Sequence, residues 1–348
     1  MVPALQSWRF AAWGFAWVGI ALLLWLVASR LLCRSPRSRA VSARIALPVF
    51  TTAFGLLAIE LTFSLFVLQT HGMGYLSLAA QRWNARYWLP TINSYGYRDY
   101  EPVWSDHTLF VVGSSIAAGG GIERLDDRMS ALLGRKLGPH WTVATLAGAG
   151  WPSARKYEHL LAFPKIPDIL LVSDFIYDID GAAARHGLNR PVPDLRPHGF
   201  FKPVIDNSSL VNWMYWRTVR EGSPEAYWAY VQLAFATPEI FADYMQDLQQ
   251  FIDYAKKNGA RLYFVIWPFA AFANQDAIPR KVTAALEARG ANVIDLTPVL
   301  RNRPLGEIVV NSSDSHPNAR VHAEMAEVIF QRLSKDGLRA WFPDTLRE

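Results

Sequence analysis

The chain has 348 residues, 51% of them apolar, a single cysteine and a formal net charge of +5, enough for one sizeable core with appendages. Residues 1–69 hold six Arg and one Glu and so carry the whole excess, while residues 70–348 are formally neutral; no basic field is left for nucleic acid. With Cys33 alone, intramolecular disulfides, a thiolate metal site and a cysteine nucleophile beyond residue 70 are excluded.

Phe10 to Ser29 is a run of 20 positions without a charge, enough to cross a hydrocarbon core of about 30 Å. A second run, Ile45 to Gln69, carries only Glu60. The first run exceeds the roughly 7–15 residues of a signal-peptide core, and a second follows at once. Residues 1–70 are therefore expected to form a retained transmembrane hairpin with spans at about 10–29 and 45–69. Arg30, Arg34, Arg37, Arg39 and Arg44 lie between or beside the spans. Lys and Arg in short loops stay cytoplasmic, so the N-terminus and everything after about residue 70 are expected outside the cytoplasmic membrane, in the periplasm of a double-membrane bacterium. The lipid bilayer is then one partner. Glu60 reads either as a polar contact to a partner membrane protein's helix or as a protonated or hairpin-paired side chain.

Residues 71–107 read as an irregular aromatic connector, with NSYGYRD (93–99) as a turn centred on glycine. An alternation follows over residues 108–340. Strands are expected at 109–113, within 141–150 (a strand running into a turn), and at 168–176, 261–267 and 292–296. Helices are expected at 123–138, ending on Gly138, and at 153–163, 238–258, 278–289 and 319–335. A loop-rich insertion is expected at about 181–235. Strands alternating with helices imply an α/β fold with a mostly parallel sheet covered on both faces.

The first of these strands ends in FVVGSSIAAGGGI (110–122). Ligands of such sheets sit outside the carboxyl ends of the strands, so a serine on this turn is presented to a cleft. Its backbone N–H is expected near a helix start, where free donors and the dipole favour an anion. No lysine follows the glycines, which excludes a P-loop, and G-x-S-x-G is absent. A serine nucleophile needs a base. In SDSHPNA (313–319), His316 is expected in a turn before the last helix, with Asp314 two residues earlier to hold the imidazole tautomer. Pro317 sets the exit angle and Asn318 is a helix cap.

These blocks make the chain similar to the SGNH (GDSL-type) hydrolase family in its membrane-anchored bacterial form. The family's G-D-S-x-x-x-G-x-G block corresponds to Gly113–Gly121, and its D-x-H-P-N block to Asp314–Asn318. NSYGYRD resembles the N-S-x-G-F-R-D segment of anchored members. The resemblance implies a three-layer α/β/α flavodoxin-like domain, with Ser115 as nucleophile, His316 as base and Asp314 as orienter, and neither cofactor nor metal. The middle blocks depart from the pattern. Ala147 stands where the second block has Gly, and Tyr177 precedes Asp178 where the third has Asn-Asp. The oxyanion donors implied are the N–H groups of Ser115 and Ala147 and the Tyr177 hydroxyl. Arg98 and Asp178 are candidate substrate-binding residues; for Arg98 a structural ion pair is the other reading.

Two further features stay open at this level. The aromatic segment NWMYWR (212–217) reads as a sugar platform, an acyl-binding cap, plain packing or membrane-interface anchoring. His322, six residues beyond His316, is expected at the surface. The function expected is a serine esterase or O-acyltransferase outside the cytoplasmic membrane, with a glycan or acylated small molecule as substrate and O-acetyl groups of an exopolysaccharide or envelope glycan foremost. The alternative is a catalytically silent binding or scaffold subunit of a polysaccharide export or acylation complex.

Overall fold

The computed structural model describes residues 8–33, 35–72, 76–191, 194–219, 224–268 and 276–337. In chain order come α1 (Trp8–Leu32), α2 (Pro36–Phe66), α3 (Leu78–Trp83), β1 (His107–Gly113), α4 (Met129–Leu137) and β2 (Trp141–Ala147). Then follow α5 (Ser153–Ala162), β3 (Ile169–Phe175), α6 (Asp180–Arg185), α7 (Lys202–Asn207), α8 (Ser209–Thr218), α9 (Pro224–Ala236) and α10 (Pro238–Asn258). The last part holds β4 (Arg261–Trp267), α11 (Ala277–Glu287), β5 (Asn292–Asp295), the short α12 (Thr297–Leu300) and α13 (Leu305–Ile308), β6 (Val309–Asn311), β7 (Asp314–Pro317) and α14 (Ala319–Lys335). The chain divides into two compact units, residues 1–86 with 194–221, and residues 87–193 with 222–348.

In the first unit, α1 and α2 are long and apolar enough to cross a membrane. They pair antiparallel: Phe15 stacks on Phe54, and Trp25 Nε1 donates to Ser42 Oγ at 3.0 Å. Gly14 admits Leu57, which would lie 2.4 Å from a Cβ there. Ser35 caps α2 and Pro36 opens it, a position where the missing N–H costs nothing. Glu60 is buried, and its carboxylate accepts from Ser208 Oγ at 2.6 Å, Ser209 N at 2.5 Å and Leu210 N at 3.0 Å. Its partner is thus the N-terminus of α8 in its own chain, where free N–H groups and the dipole hold an anion. Arg82 donates to Ser209 Oγ and to the carbonyls of Phe63 and Val67, and burial brings its pKa down to about 10.

Of the stretch expected to be loop-rich, residues 186–191 and 194–201 are irregular and much of the rest is helical, as α6 to α9. The sequences of α8 (SLVNWMYWRT) and α9 (PEAYWAYVQLAFA) carry apolar residues on every side. No one-sided stripe marks them as helices.

The second unit is built on a five-stranded sheet in the order β2-β1-β3-β4-β5, with every pair parallel. Its strands are buried on both faces and read as near-continuous apolar runs, as a doubly covered parallel sheet requires. Right-handed crossovers place α4, which leads from β1 outward to β2, on one face and α5, which leads back to β3, on the other. Accordingly α4 packs with α14, and α5 with α10. The helix expected at 123–138 begins only at Met129, after a 3-10 turn at Leu125–Asp127, and is capped by Gly138 at φ 83°. A two-stranded antiparallel hairpin, β6–β7, pairs Val309 with Pro317 and Asn311 with Asp314.

Candidate active site

The strand order makes the direction of the chain reverse about β1, with β2 on one side and β3 on the other. This is the switch point at which open α/β sheets leave a crevice beyond the strand ends. Ser115 follows β1 by two residues, Ala147 closes β2, and Tyr177 lies in a 3-10 turn (Ile176–Ile179) after β3. The three candidate oxyanion residues thus leave the carboxyl ends of three adjacent strands, with Ser115 from the middle one.

No helix starts behind Ser115. Residues 114–121 coil through turns instead, with Ala118 N–H on Ser114 O, Gly119 N–H on Ile116 O and Gly120 N–H on Ser115 O. Gly119 and Gly121 both have φ 77°, a conformation that breaks the right-handed helix. The helix-dipole contribution expected at Ser115 is therefore missing, and α4 begins well downstream. Two other glycines make room for the chemistry. A Cβ on Gly113 would lie 2.5 Å from that of Ala117 and 2.9 Å from that of Ser173. On Gly120 it would lie 2.8 Å from Cδ2 and 2.9 Å from Nε2 of His316. The imidazole rests face-on against bare backbone.

His316 arrives from the far end of the chain on β7, not in a turn. Residues two apart on a strand share a face, and this is what brings Asp314 beneath it. Asp314 Oδ1 lies 2.5 Å from His316 Nδ1 and also accepts the His316 backbone N–H at 3.1 Å. Asp314 is buried and His316 half-buried. A carboxylate can only accept, so Nδ1 carries the proton and Nε2 is left as acceptor. His316 Nε2 stands 2.8 Å from Ser115 Oγ, and the serine hydroxyl is the donor. Asn318 caps α14 through Val321 N–H at 3.1 Å and donates to Glu307 O at 2.9 Å, which ties strand and helix together. Chemically, this is a hydroxyl with a positioned proton acceptor whose ring orientation is fixed from behind.

Arg98 and Asp178, the candidate substrate-binding residues, are both buried and engaged by protein partners. The Arg98 guanidinium donates to Gly119 O and Ile122 O, each at 2.5 Å, and to Ala118 O at 3.3 Å, so it grips the carbonyls of the glycine turn. Arg128 holds Arg98 O and pairs with Asp99 at 2.5 Å, and Asp99 accepts Thr145 N–H of β2 at 2.6 Å. The RD of NSYGYRD therefore braces the serine turn. Asp178 forms a buried ion pair with Lys156 of α5 and accepts Phe175 N–H at 2.9 Å, while Lys156 Nζ also donates to Ser173 O at 2.7 Å. Nearby, burial and the Asp178 charge push the Asp174 carboxyl well above its ordinary range; Tyr244 OH donates to it at 2.6 Å.

Tyr177 sits among aromatics. Its ring meets Phe175 and Tyr227 edge-on at 4.7 and 5.0 Å, with the Arg190 guanidinium 4.3 Å over it. Burial raises the Asp180 carboxyl beside them to about 6.

His322 is fully buried, contrary to the surface expectation. Nδ1 accepts Met129 N–H at 3.1 Å, the first free donor of α4, and burial with Arg128 close by lowers its pKa to about 3. Lys156, Arg128 and Asp174 have no part in the sequence reading. Lys156 had a legible signal, for it shares an inward helical stripe with Ser153 and Leu160; Arg128 had none. Among the described residues, no three His, Cys, Asp or Glu side chains converge as a metal-ligand set. A cleft of about 670 Å³ runs along the outer edge of β2 between Asp99, Arg128, Trp141 and Phe163, and none of Ser115, Asp314 or His316 lines it.

No family model matches the chain, and no curated protein matches it. Solved structures similar to it include that of TesA, at 16% identity and a TM-score of 0.41, covering 66% of this chain and 99% of that one. A carbohydrate acetylesterase family member from Sinorhizobium meliloti is 13% identical with a TM-score of 0.39, over 66% and 98% of the two chains. A lipase/acylhydrolase from Enterococcus faecalis is 12% identical with a TM-score of 0.39, over 66% and 96%. Likenesses this distant transfer no activity, and what the site can do is decided by its own geometry.

Proposed function

We infer that the second unit is a serine esterase or O-acyltransferase of SGNH type. The observation that carries this is the pair of contacts on one imidazole, Ser115 Oγ on Nε2 at 2.8 Å and Asp314 on Nδ1 at 2.5 Å. Ser115 Oγ attacks the carbonyl carbon of an ester while His316 Nε2 takes its proton. The tetrahedral oxyanion accepts hydrogen bonds from Ser115 N–H, Ala147 N–H and the Tyr177 hydroxyl. Collapse breaks the ester C–O bond, the leaving alcohol takes the proton from His316, and an acyl-Ser115 remains. Water then regenerates the serine in an esterase; a sugar hydroxyl does so in a transferase. Asp314 stabilises the imidazolium and holds its orientation throughout.

The arginines between the two apolar helices favour a cytoplasmic loop, so we place the catalytic unit on the outer face of the cytoplasmic membrane, anchored by α1 and α2. O-acetyl groups of an exopolysaccharide or envelope glycan are the substrate class that this location and the family resemblance favour. With the full chain in detergent, acetate release from p-nitrophenyl acetate and from an O-acetylated glycan should depend on Ser115. Equal release by Ser115→Ala would defeat the reading.

A second reading, a silent glycan-binding or scaffold subunit, has one observation in its favour. Tyr177 replaces the asparagine of the third block, and its ring is packed between Tyr227 and Phe175. That reading expects glycan binding with no acetate release by wild type.

A further inference from the structure

Phe200 and Phe201 are adjacent aromatics left open to the outside, Phe200 at 91% exposure and Phe201 at 68%, with rings 5.6 Å apart. Val204, one turn further along α7, is exposed on the same face as Phe201. Two phenylalanines so open to water are a loss unless something apolar covers them. They belong to the unit that contains the two apolar helices, and its polar contacts give their depth. Ser208 and Ser209, at the α7–α8 turn, bind Glu60. Glu60 lies six residues before the end of α2, about 9 Å along the helix axis. From that turn α8 runs past the outer end of α2: Trp213 packs on Phe63 at 5.2 Å and its Nε1 donates to Gln69 at 3.2 Å. The six residues of α7 span about 9 Å. Phe200 and Phe201, just beyond the start of α7, therefore lie within about 15 Å of the level of Glu60, a range that takes in the zone where acyl chains give way to headgroups.

We propose that residues 194–219 form a re-entrant foot that inserts Phe200, Phe201 and Val204 into the outer interfacial layer of the lipid bilayer, fastened to the anchor by the Glu60 carboxylate on the N-terminus of α8. The occupant is lipid, because the segment that carries the patch is fastened to α2 at Glu60, a few residues from the end of that apolar helix. Lys202 is paired with Asp206 on the same helix, so the contact is apolar and not selective for headgroup charge. The foot explains Glu60 itself: the carboxylate sits in an apolar span because a second element of the chain must be held at that depth. It also means the chain passes between the two units three times, before and after the foot as well as after α3. The inference rests on reading α1 and α2 as membrane spans.

The test uses the full chain with Cys33→Ser, reconstituted in bilayers of phosphatidylcholine and phosphatidylglycerol. Nitroxides are placed singly through Phe200→Cys, Phe201→Cys, Leu56→Cys in α2 and Leu161→Cys on α5, and collision rates with oxygen and a water-soluble nickel chelate are compared. Labels at 200 and 201 should favour oxygen at least threefold more than Leu161→Cys does, and less than Leu56→Cys does. An aqueous profile at 200 and 201 with a lipid profile at Leu56 overturns the foot and leaves the spans standing. Protection from both reagents means that protein covers the patch, which also overturns it. An aqueous profile at Leu56 ends the spanning reading and the foot with it.

Discussion

The turn after β1 and the turn after β3 face the same crevice, and each is braced by a buried ion pair. Arg128–Asp99 with Arg98 holds the first; Lys156–Asp178 holds the second. They differ in what they present. The first is made almost entirely of backbone: glycines bring the main chain against the His316 ring, and a single hydroxyl projects. The second projects an aromatic ring set among other rings. A bare-backbone turn positions one atom closely and tolerates no added methyl, whereas an aromatic turn leaves the position of its hydroxyl to the packing of its neighbours. In the proposed reaction the serine hydroxyl is thus held by bare backbone and the tyrosine hydroxyl by the packing of neighbouring rings.

The sharpest way to break this contrast is at the serine. Ser115→Ala should lower ester hydrolysis by at least about 10³-fold, with binding of unreacted substrate retained; a rate within tenfold of wild type would place the chemistry elsewhere. Asp178→Asn leaves the Lys156 ammonium buried without its anion, at a cost of about 3–5 kcal/mol. The melting temperature should fall by roughly 10 °C, as read by thermal unfolding of the full chain in detergent. Tyr177→Phe removes only a hydroxyl, and a lost oxyanion donor costs about 10²–10³ in kcat; kcat should fall by that order with KM little changed. An unchanged kcat would show that the second turn is scaffold alone. Gly120→Ala places a methyl where the imidazole ring lies, and a misplacement of about 1 Å costs roughly 10² in rate. The same circular dichroism spectrum with a hundredfold slower turnover is the expected pair of observations.

The smallest effect concerns pH. His322 is neutral in the fold, with its pKa lowered to about 3 by burial, against about 6.5 when unfolded. Its contribution to stability is complete above pH 6.5 and is lost as pH falls toward 3, on the order of 2 kcal/mol between pH 7 and pH 5. The buried carboxyls of Asp174 and Asp180 are raised instead, so theirs declines as pH rises. His322→Gln should flatten the acid side of the stability profile and leave the alkaline side unchanged.

The same contrast separates what was legible in the sequence from what was not. Gly113, Ser115, Asp314 and His316 are legible as a constellation because the role proposed for each depends on its own residue type, whether a bare Cα, a hydroxyl, a carboxylate or an imidazole. The five strands were legible as short buried runs between helical patterns. The places of Arg98 and Asp178 are not legible, because a charged residue near such a block looks the same in sequence whether it faces ligand or clamps carbonyls; burial decides, and burial is a tertiary fact. His322 was misread for the same reason. Helices α8 and α9 were missed because aromatics all around a helix erase the 3.6-residue period. The hairpin β6–β7 was missed because its strands are only three and four residues long, too short to alternate.

A fluorophosphonate probe followed by peptide mass spectrometry reads out whether Ser115 is an activated nucleophile. One adduct is expected, on Ser115, that disappears in His316→Ala while the fold persists. Labelling of Ser115 that is unaffected by His316→Ala, or no adduct at all on folded wild type, would contradict it.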